Sequence, residues 1–312
     1  MSDVERKLAG LKKLLKMGLF DYSEIMEQLG VDYAYARKLV QLLRDQGVPV
    51  EAKYYKGKKQ FYIPPVDPDP KQALYDLKIP VKDGKYSFGV IACTHIGSEF
   101  TYEEFLHDFY DILEQRDIKV VLHGGDLFEG VKGSSRPGQL NELKVYGYRK
   151  MLDYGVDVYP QRKSIKTYVI TGNHDDWYWN LAGANIVKHF AELRKDVEYL
   201  GMQYADLKIN GNSVVIQHGG GSPNTYAKSY RLQKYLDGMR IRPNFYFLAH
   251  YHKSNYMPYN GTHAFLLGTF KDGDLYGKSI PGGADVGGWI VTVNVDKKKD
   301  ILSVVPEWVG LP

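Results

Sequence analysis

The sequence predicts an α/β fold in which two packed sheets are flanked by helices, preceded by a small domain of three helices and a hairpin. Three observations predict it. From about residue 86 to residue 195, short apolar runs of strand character alternate with helical periodicity, and beyond 195 the runs are mostly strand-like. That order suits two sheets with flanking helices. Five of the apolar runs end in a sharp turn followed by His, Asp or Asn. The first sixty or so residues instead hold three short helical patterns and then two alternating runs around a Gly-containing turn.

At 312 residues the chain suffices for one large domain or two unequal ones. Its single cysteine, Cys93, excludes internal disulfides and fits a reducing compartment. Met1 to Met17 is charged and amphipathic rather than a secretory signal, and no apolar run approaches the ~20 residues of a membrane helix. A cytoplasmic protein with no membrane partner is expected; composition leaves the oligomeric state open. The net charge of +4 is unevenly placed: residues 1–62 hold twelve Lys/Arg against eight Asp/Glu, and the remainder holds 29 of each. A basic appendage on a neutral body suggests a polyanionic partner, nucleic acid being the common one.

The first domain is expected over 1–63. Leu8, Leu11, Leu14 and Leu15 recur at helical spacing over 4–17, with Lys12, Lys13 and Lys16 on the other face. Asp21 or Ser23 can cap a second helix that runs to Leu29 and ends at Gly30. Asp32 caps a third from about Tyr33 to Gln46, with Ala36, Leu39, Val40 and Leu43 inward and Tyr35, Arg37, Lys38 and Arg44 outward, and Gly47 closes it. Val48 to Ile63 then reads as a hairpin with a basic tip, Lys56-Gly57-Lys58-Lys59. This order resembles a winged helix-turn-helix, a nucleic-acid-binding module. The resemblance implies that the third helix, with Arg37, Lys38 and Arg44, enters a groove, and that Lys56, Lys58 and Lys59 meet phosphate. A three-helix protein–protein module with a solvated basic face is the competing reading.

Residues 64–85 read as a linker and connector, opening with the stiff run Pro64-Pro65-Val66-Asp67-Pro68-Asp69-Pro70. The second domain is expected over 86–312. A strand ends at Cys93. A helix over 101–116 turns Phe105, Phe109, Ile112 and Leu113 inward, and a strand over 118–122 leads to Asp126. A polar loop from Lys132 to Gly138 precedes a helix over 139–154. The strand 166–170 leads to Gly172-Asn173-His174-Asp175, and a helix follows at about 183–195. Further strands are expected near 197–200, 204–209, 213–217, 244–248, 264–267, 289–295 and 301–305, with a helix near 226–236.

The five turns are Cys93-Thr94-His95, Gly124-Gly125-Asp126, Gly172-Asn173-His174-Asp175, His218-Gly219 and His250-Tyr251-His252. Ligands of α/β folds bind outside the carboxyl ends of the strands, so five such ends bearing metal-type donors point to one shared metal centre. Their order and rough spacing over about residues 86–270 resemble the calcineurin-like metallophosphoesterase superfamily. Its pattern is Asp-x-His, Gly-Asp, Gly-Asn-His-Asp/Glu, His, and Gly-His-x-His. The resemblance implies a two-sheet sandwich with two divalent ions bridged by Asp126. One ion would also take Cys93, His95 and His252; the other would also take Asn173, His218 and His250. His174 stays free of metal as proton donor, and Asp175 holds its ring.

The chemistry suits such a site. A phosphate ester is anionic and resists an anionic nucleophile, whereas two ions ~3.5–4 Å apart acidify a water held between them and neutralise the phosphoryl group. Two departures stand out. Ala249 replaces a usual glycine. Cys93 replaces the first aspartate, and a thiolate favours zinc or other late transition metals over magnesium. Manganese or zinc is expected foremost, with cobalt, iron and nickel also admissible.

The expected function is a dinuclear phosphodiesterase, a nuclease acting on DNA or RNA, in which a hydroxide held between the metals attacks phosphorus and His174 donates the proton. Trp177, Tyr178 and Trp179 beside the site could stack on bases at about 1–3 kcal/mol each. Arg136 in the polar loop could reach a substrate phosphate. The alternatives are a phosphomonoesterase or cyclic-nucleotide phosphodiesterase, and a nucleic-acid-binding regulator impaired by Cys93.

Overall fold

The computed structural model describes residues 3–45, 48, 50–55, 57–62, 75–132, 139–221, 227–274, 278 and 283–311. Lys56, Gly47, the linker 64–70 and Arg136 lie outside them. The chain divides into two units, Met1–Lys71 and Gln72–Pro312.

The first unit holds three helices and a hairpin in the expected order: α1 (Asp3–Met17), α2 (Tyr22–Leu29), α3 (Tyr33–Asp45), β1 (Glu51–Tyr55) and β2 (Lys58–Tyr62). Asp21 caps α2 through a reciprocal pair, accepting from Glu24 N at 2.9 Å while Glu24 Oε2 accepts from Asp21 N at 2.7 Å. Gly30 ends the helix at φ +60°. Asp32 Oδ1 accepts from Tyr35 N at 2.7 Å and starts α3. Leu8, Leu11, Leu15, Ile25, Ala36, Leu39, Val40, Leu43, Val50 and Phe61 form one small core, the face that the 3.6-residue spacing marks.

The second unit is two six-stranded sheets with helices outside them, as the sequence predicts. One sheet has the order β14-β13-β4-β5-β6-β7, the other β11-β12-β10-β9-β8-β3. The first contains β4 (Lys85–Ile91), β5 (Val120–His123), β6 (Lys166–Ile170), β7 (Val197–Gly201), β13 (Gly287–Val295) and β14 (Ile301–Gly310). The second contains β3 (Tyr75–Leu77), β8 (Tyr204–Ile209), β9 (Asn212–His218), β10 (Phe245–Ala249), β11 (Asn255–Tyr259) and β12 (Thr262–Leu266). Strands β4 to β7 run parallel, as do β9, β10 and β12. Between the sheets lie Phe88, Val90, Leu122, Ile216, Phe247, Phe265 and Val291, each contributing about 1.5–3 kcal/mol of burial. The outer face of the first sheet packs on α4 (Glu103–Gln115), α5 (Tyr148–Val158) and α7 (Ile186–Leu193). That of the second packs on α8 (Lys228–Asp237).

Four elements differ from expectation. The second unit begins before residue 86, because β3 pairs in parallel with β8. β11 (Asn255–Tyr259) is a strand where none is expected; it holds Pro258, which its place at the sheet edge tolerates. The expected helix 139–154 is a 3-10 turn, Gln139–Glu142, and then α5, separated at Gly147 with φ +99°. The helix expected from about 183 is α7, and a separate helix, α6 (Asn173–Ala182), precedes it, so the Asn173-His174-Asp175 motif is a first helical turn rather than a loop.

Candidate metal centre

Parallel pairing brings the carboxyl ends of β4, β5 and β6 to one end of the first sheet, and those of β9 and β10 to one end of the second. The turns leaving β4 and β5 are zipped together: Cys93 N donates to Gly125 O at 2.9 Å and His95 N to Asp126 O at 3.0 Å. Gly125, at φ +85°, lets the β5 turn pass the β6 turn, where a Cβ would stand 2.4 Å from Thr171 O. The backbone is strained where the donors sit. Cys93, His95, Asp126, His250 and His252 all take positive φ, between 47° and 88°, at a cost on the order of 1–2 kcal/mol each for a residue bearing a side chain.

Among the described residues, three donor groups converge. Cys93, His95 and His252 form one, Cys93, Asp126 and His218 a second, and His95, Asp126 and His174 a third, each with its atoms within 4.8 Å of one another. Cys93, His95 and Asp126 are thus each shared between two groups. His95 Nε2 and His252 Nε2 face each other at 3.2 Å. His218 Nδ1 donates to Gly124 O at 2.8 Å, and its Nε2 lies 3.1 Å from Asn173 Oδ1 and 3.2 Å from Asp126 Oδ2. Burial lowers this ring, but Asp126 beside it outweighs that and raises it above the ordinary histidine range, so a bound cation would take the place of the Nε2 proton. His250 Nε2 lies 2.9 Å from Gly221 O, so its free nitrogen is Nδ1, and its ring centre is 5.1 Å from that of His218.

Acceptors crowded on one point repel unless a cation lies among them, so the donor set fits divalent ions. Burial pushes His95 and His252 below the ordinary histidine range and His250 down to about 4, keeping these rings neutral as ligands must be. Burial, reinforced by Asp126, pushes the Cys93 thiol well up, so only a bound cation would hold it as thiolate. Asp126 is different: burial raises it, but the neighbouring histidines, His218 foremost, outweigh that and hold it well below the ordinary carboxylate range.

One functional side chain escapes the sequence reading. Glu129, three residues after Asp126 and buried, lies 3.1 Å from His174 Nδ1 through Oε1 and 2.9 Å from His95 Nδ1 through Oε2. It occupies the place expected of Asp175. The Asp175 carboxylate instead accepts from the backbone N–H groups of Gly172 (2.8 Å), Phe128 (2.8 Å) and Leu127 (3.2 Å), capping α6 and bracing the β5 turn. The signal was a second carboxylate in Gly125-Asp126-Leu127-Phe128-Glu129, but only the fold says which histidines it meets.

The aromatic residues divide. Trp177 is half-buried with its ring centre 4.0 Å from that of His174. Tyr178 is buried in the helix-side core, its hydroxyl 3.3 Å from Glu129 O, so the expected stacking on a base is not available to it. In the first unit, Arg37, Lys38, Arg44 and Lys59 line one groove with Tyr22 and Tyr33. Arg44 also donates to Val50 O at 3.1 Å and braces the hairpin. Lys58, expected to meet phosphate, is paired with Asp21 at 3.0 Å.

A two-sheet α/β sandwich with histidine, carboxylate and thiol donors at its strand ends defines a metallophosphoesterase fold. The chain belongs to the calcineurin-like phosphoesterase family, whose model matches residues 86–266. No curated protein matches it. Among solved structures it is similar to an archaeal phosphodiesterase, at 12% identity and a TM-score of 0.41, over 72% of this chain and 99% of that one. It is also similar to zinc-complexed Vps29 from Entamoeba histolytica, at 15% and 0.34, over 72% and 98%. A predicted phosphoesterase from Streptococcus pneumoniae gives 9% and 0.36, over 73% and 98%.

Proposed function

We propose that the chain is a dinuclear metal-dependent phosphodiesterase that cuts nucleic acid, its first unit acting as a winged-helix-like module that holds the polyanion. The carrying observation is the convergence of donors from five strand ends, with Asp126 common to two donor groups and in contact with His218. Cys93, His95, Asp126 and His252 would hold one ion, and Asp126, Asn173, His218 and His250 the other. When bound, the ions would supply an acidified water and neutralise the phosphoryl group. Asp126 Oδ1 accepts the His174 N–H at the start of α6 at 2.8 Å, which turns Oδ2 towards His218 and His95. His174, held through Nδ1 by Glu129, donates a proton to the leaving oxygen. The groove lined by Arg37, Lys38 and Lys59 favours a nucleic-acid diester over a small monoester.

The test is metal content on one purified sample. Turnover of a chromogenic diester, the matching monoester, single-stranded DNA and RNA is then measured with manganese, zinc, cobalt or magnesium. About two ions per chain with cleavage of a polynucleotide is expected. Preference for the monoester, or nucleic acid bound but uncut under every metal, overturns the reading. His174→Gln is expected to lower diester turnover by about 10²–10⁴-fold with metal content unchanged. Lost metal would instead make His174 a ligand, the role its place in the third donor group allows.

A further inference from the structure

Glu129 carries four contacts, two on each oxygen. Oε1 lies 3.0 Å from Gln139 Nε2 and 3.1 Å from His174 Nδ1. Oε2 lies 2.9 Å from Lys271 Nζ and 2.9 Å from His95 Nδ1. The last contact is short but bent, since no acceptor meets Nδ1 with hydrogen-bonding alignment. Lys271 is only 5% exposed, and its ammonium also meets Asp274 Oδ2 at 2.8 Å. Its segment is tied to the β4 turn: Thr269 Oγ1 and Phe270 N both donate to Cys93 O, at 2.8 and 3.1 Å. A buried ion cluster is not a net stabiliser on general grounds, because desolvation offsets the attraction. Its consequence here is geometric. With Lys271 and Gln139 fixing one side of the carboxylate, the other side faces two imidazoles from different turns.

We propose that Lys271 is a positioning residue of the metal centre: by holding Glu129 between His95 and His174, it aims one ring at the metal site and the other at the substrate. The inference rests on the metal centre proposed above, whose outer shell it extends. Partners one shell out orient ligating imidazoles and typically change metal affinity or activity 10–100-fold when removed.

The test is a cobalt(II) titration of the metal-free full chain, read by visible absorption. It compares wild type, Lys271→Met, Glu129→Gln and the double variant, with metal-free melting temperatures recorded alongside. Each single variant is expected to fold and to bind cobalt about 10–100-fold more weakly. The double variant is expected to be no weaker than Glu129→Gln alone, because Lys271 acts through that carboxylate. A folded single variant with wild-type affinity, or losses that add in the double variant, overturns the proposal. Should Lys271→Met not fold, Lys271→Gln, which keeps a donor but no charge, replaces it with an intermediate loss expected and wild-type affinity again the overturning result. A wild type that takes up no cobalt overturns the metal centre itself, whereas a wild type that binds with variants alike overturns only the role of Lys271.

Discussion

Cys93 is the residue on which the chemistry of the centre turns. Its sulfur belongs to two of the three donor groups, and its backbone is held at φ +52°. Cys93→Asp is therefore expected to retain diester turnover while moving the metal profile from zinc and cobalt towards magnesium and manganese. An unchanged profile, measured metal by metal, would remove Cys93 from the ligand set. His123 lies behind the same turns: Gly125 N donates to its Nδ1 at 3.2 Å, and its Nε2 is 3.2 Å from Thr94 Oγ1. Burial pushes it to about 3, against about 6.5 in an unfolded chain. The folded ring thus stays neutral while the unfolded one gains a proton, so its contribution is complete above pH 6.5 and declines as pH falls towards 3. Urea unfolding of metal-free protein should show that decline shallower in His123→Gln than in wild type, by about 2–3 kcal/mol between pH 6.5 and 4.5. Parallel curves would deny His123 this part. The histidine and Asp126 motifs were legible because their residue types and order carry the chemistry. Glu129 was not, because a carboxylate three residues beyond Asp126 gains its meaning only when the β6 turn brings His174 beside it.

At the scale of the element, the start of α6 does most to shape the site. Sequence periodicity missed its first turn because Gly, Asn, His and Asp are weak helix formers. The turn forms because Asp175 accepts from Gly172 N and from the β5 turn. Gly172 has an ordinary negative φ of −119°, so conformational freedom is not what it supplies. Space is: a Cβ there would stand 2.2 Å from Asp126 Oδ1 and 2.3 Å from Asp126 N. Gly172→Ala must therefore displace the shared carboxylate or the turn that carries it. Loss of bound metal and of diester turnover is expected, with about 1–3 kcal/mol of destabilisation from overpacking. An alanine variant with wild-type metal content would mean that the two turns yield without disturbing Asp126. By contrast, α3 was legible almost to the residue, because a capping aspartate and a 3.6-residue apolar stripe give the same boundaries.

Across the whole molecule, the alternation of strand and helix followed by strands alone foretold the two sheets, but not which strands would be neighbours. β3 joins β8 from more than a hundred residues away, a pairing that no local pattern encodes. Charge placement was legible at this scale too, and it makes a claim about substrate. The excess of basic residues lies in the first 62, and Arg37 and Lys38, both exposed, share a groove with Lys59, Tyr22 and Tyr33. If that groove holds the polyanion while the metal centre performs the chemistry, the two functions separate by mutation. Arg37→Glu with Lys38→Glu in the full chain should raise KM for a polynucleotide by about tenfold or more and flatten its salt dependence, because two phosphate-neutralising cations are lost. Hydrolysis of a small chromogenic diester, which carries no polyanionic backbone for the groove to hold, should be unchanged, and so should metal content. A polynucleotide KM that does not move at low salt would leave the first unit without a part in substrate binding. Equal losses on both substrates would place the damage in folding or in the metal centre, so the contrast between the two substrates decides the matter.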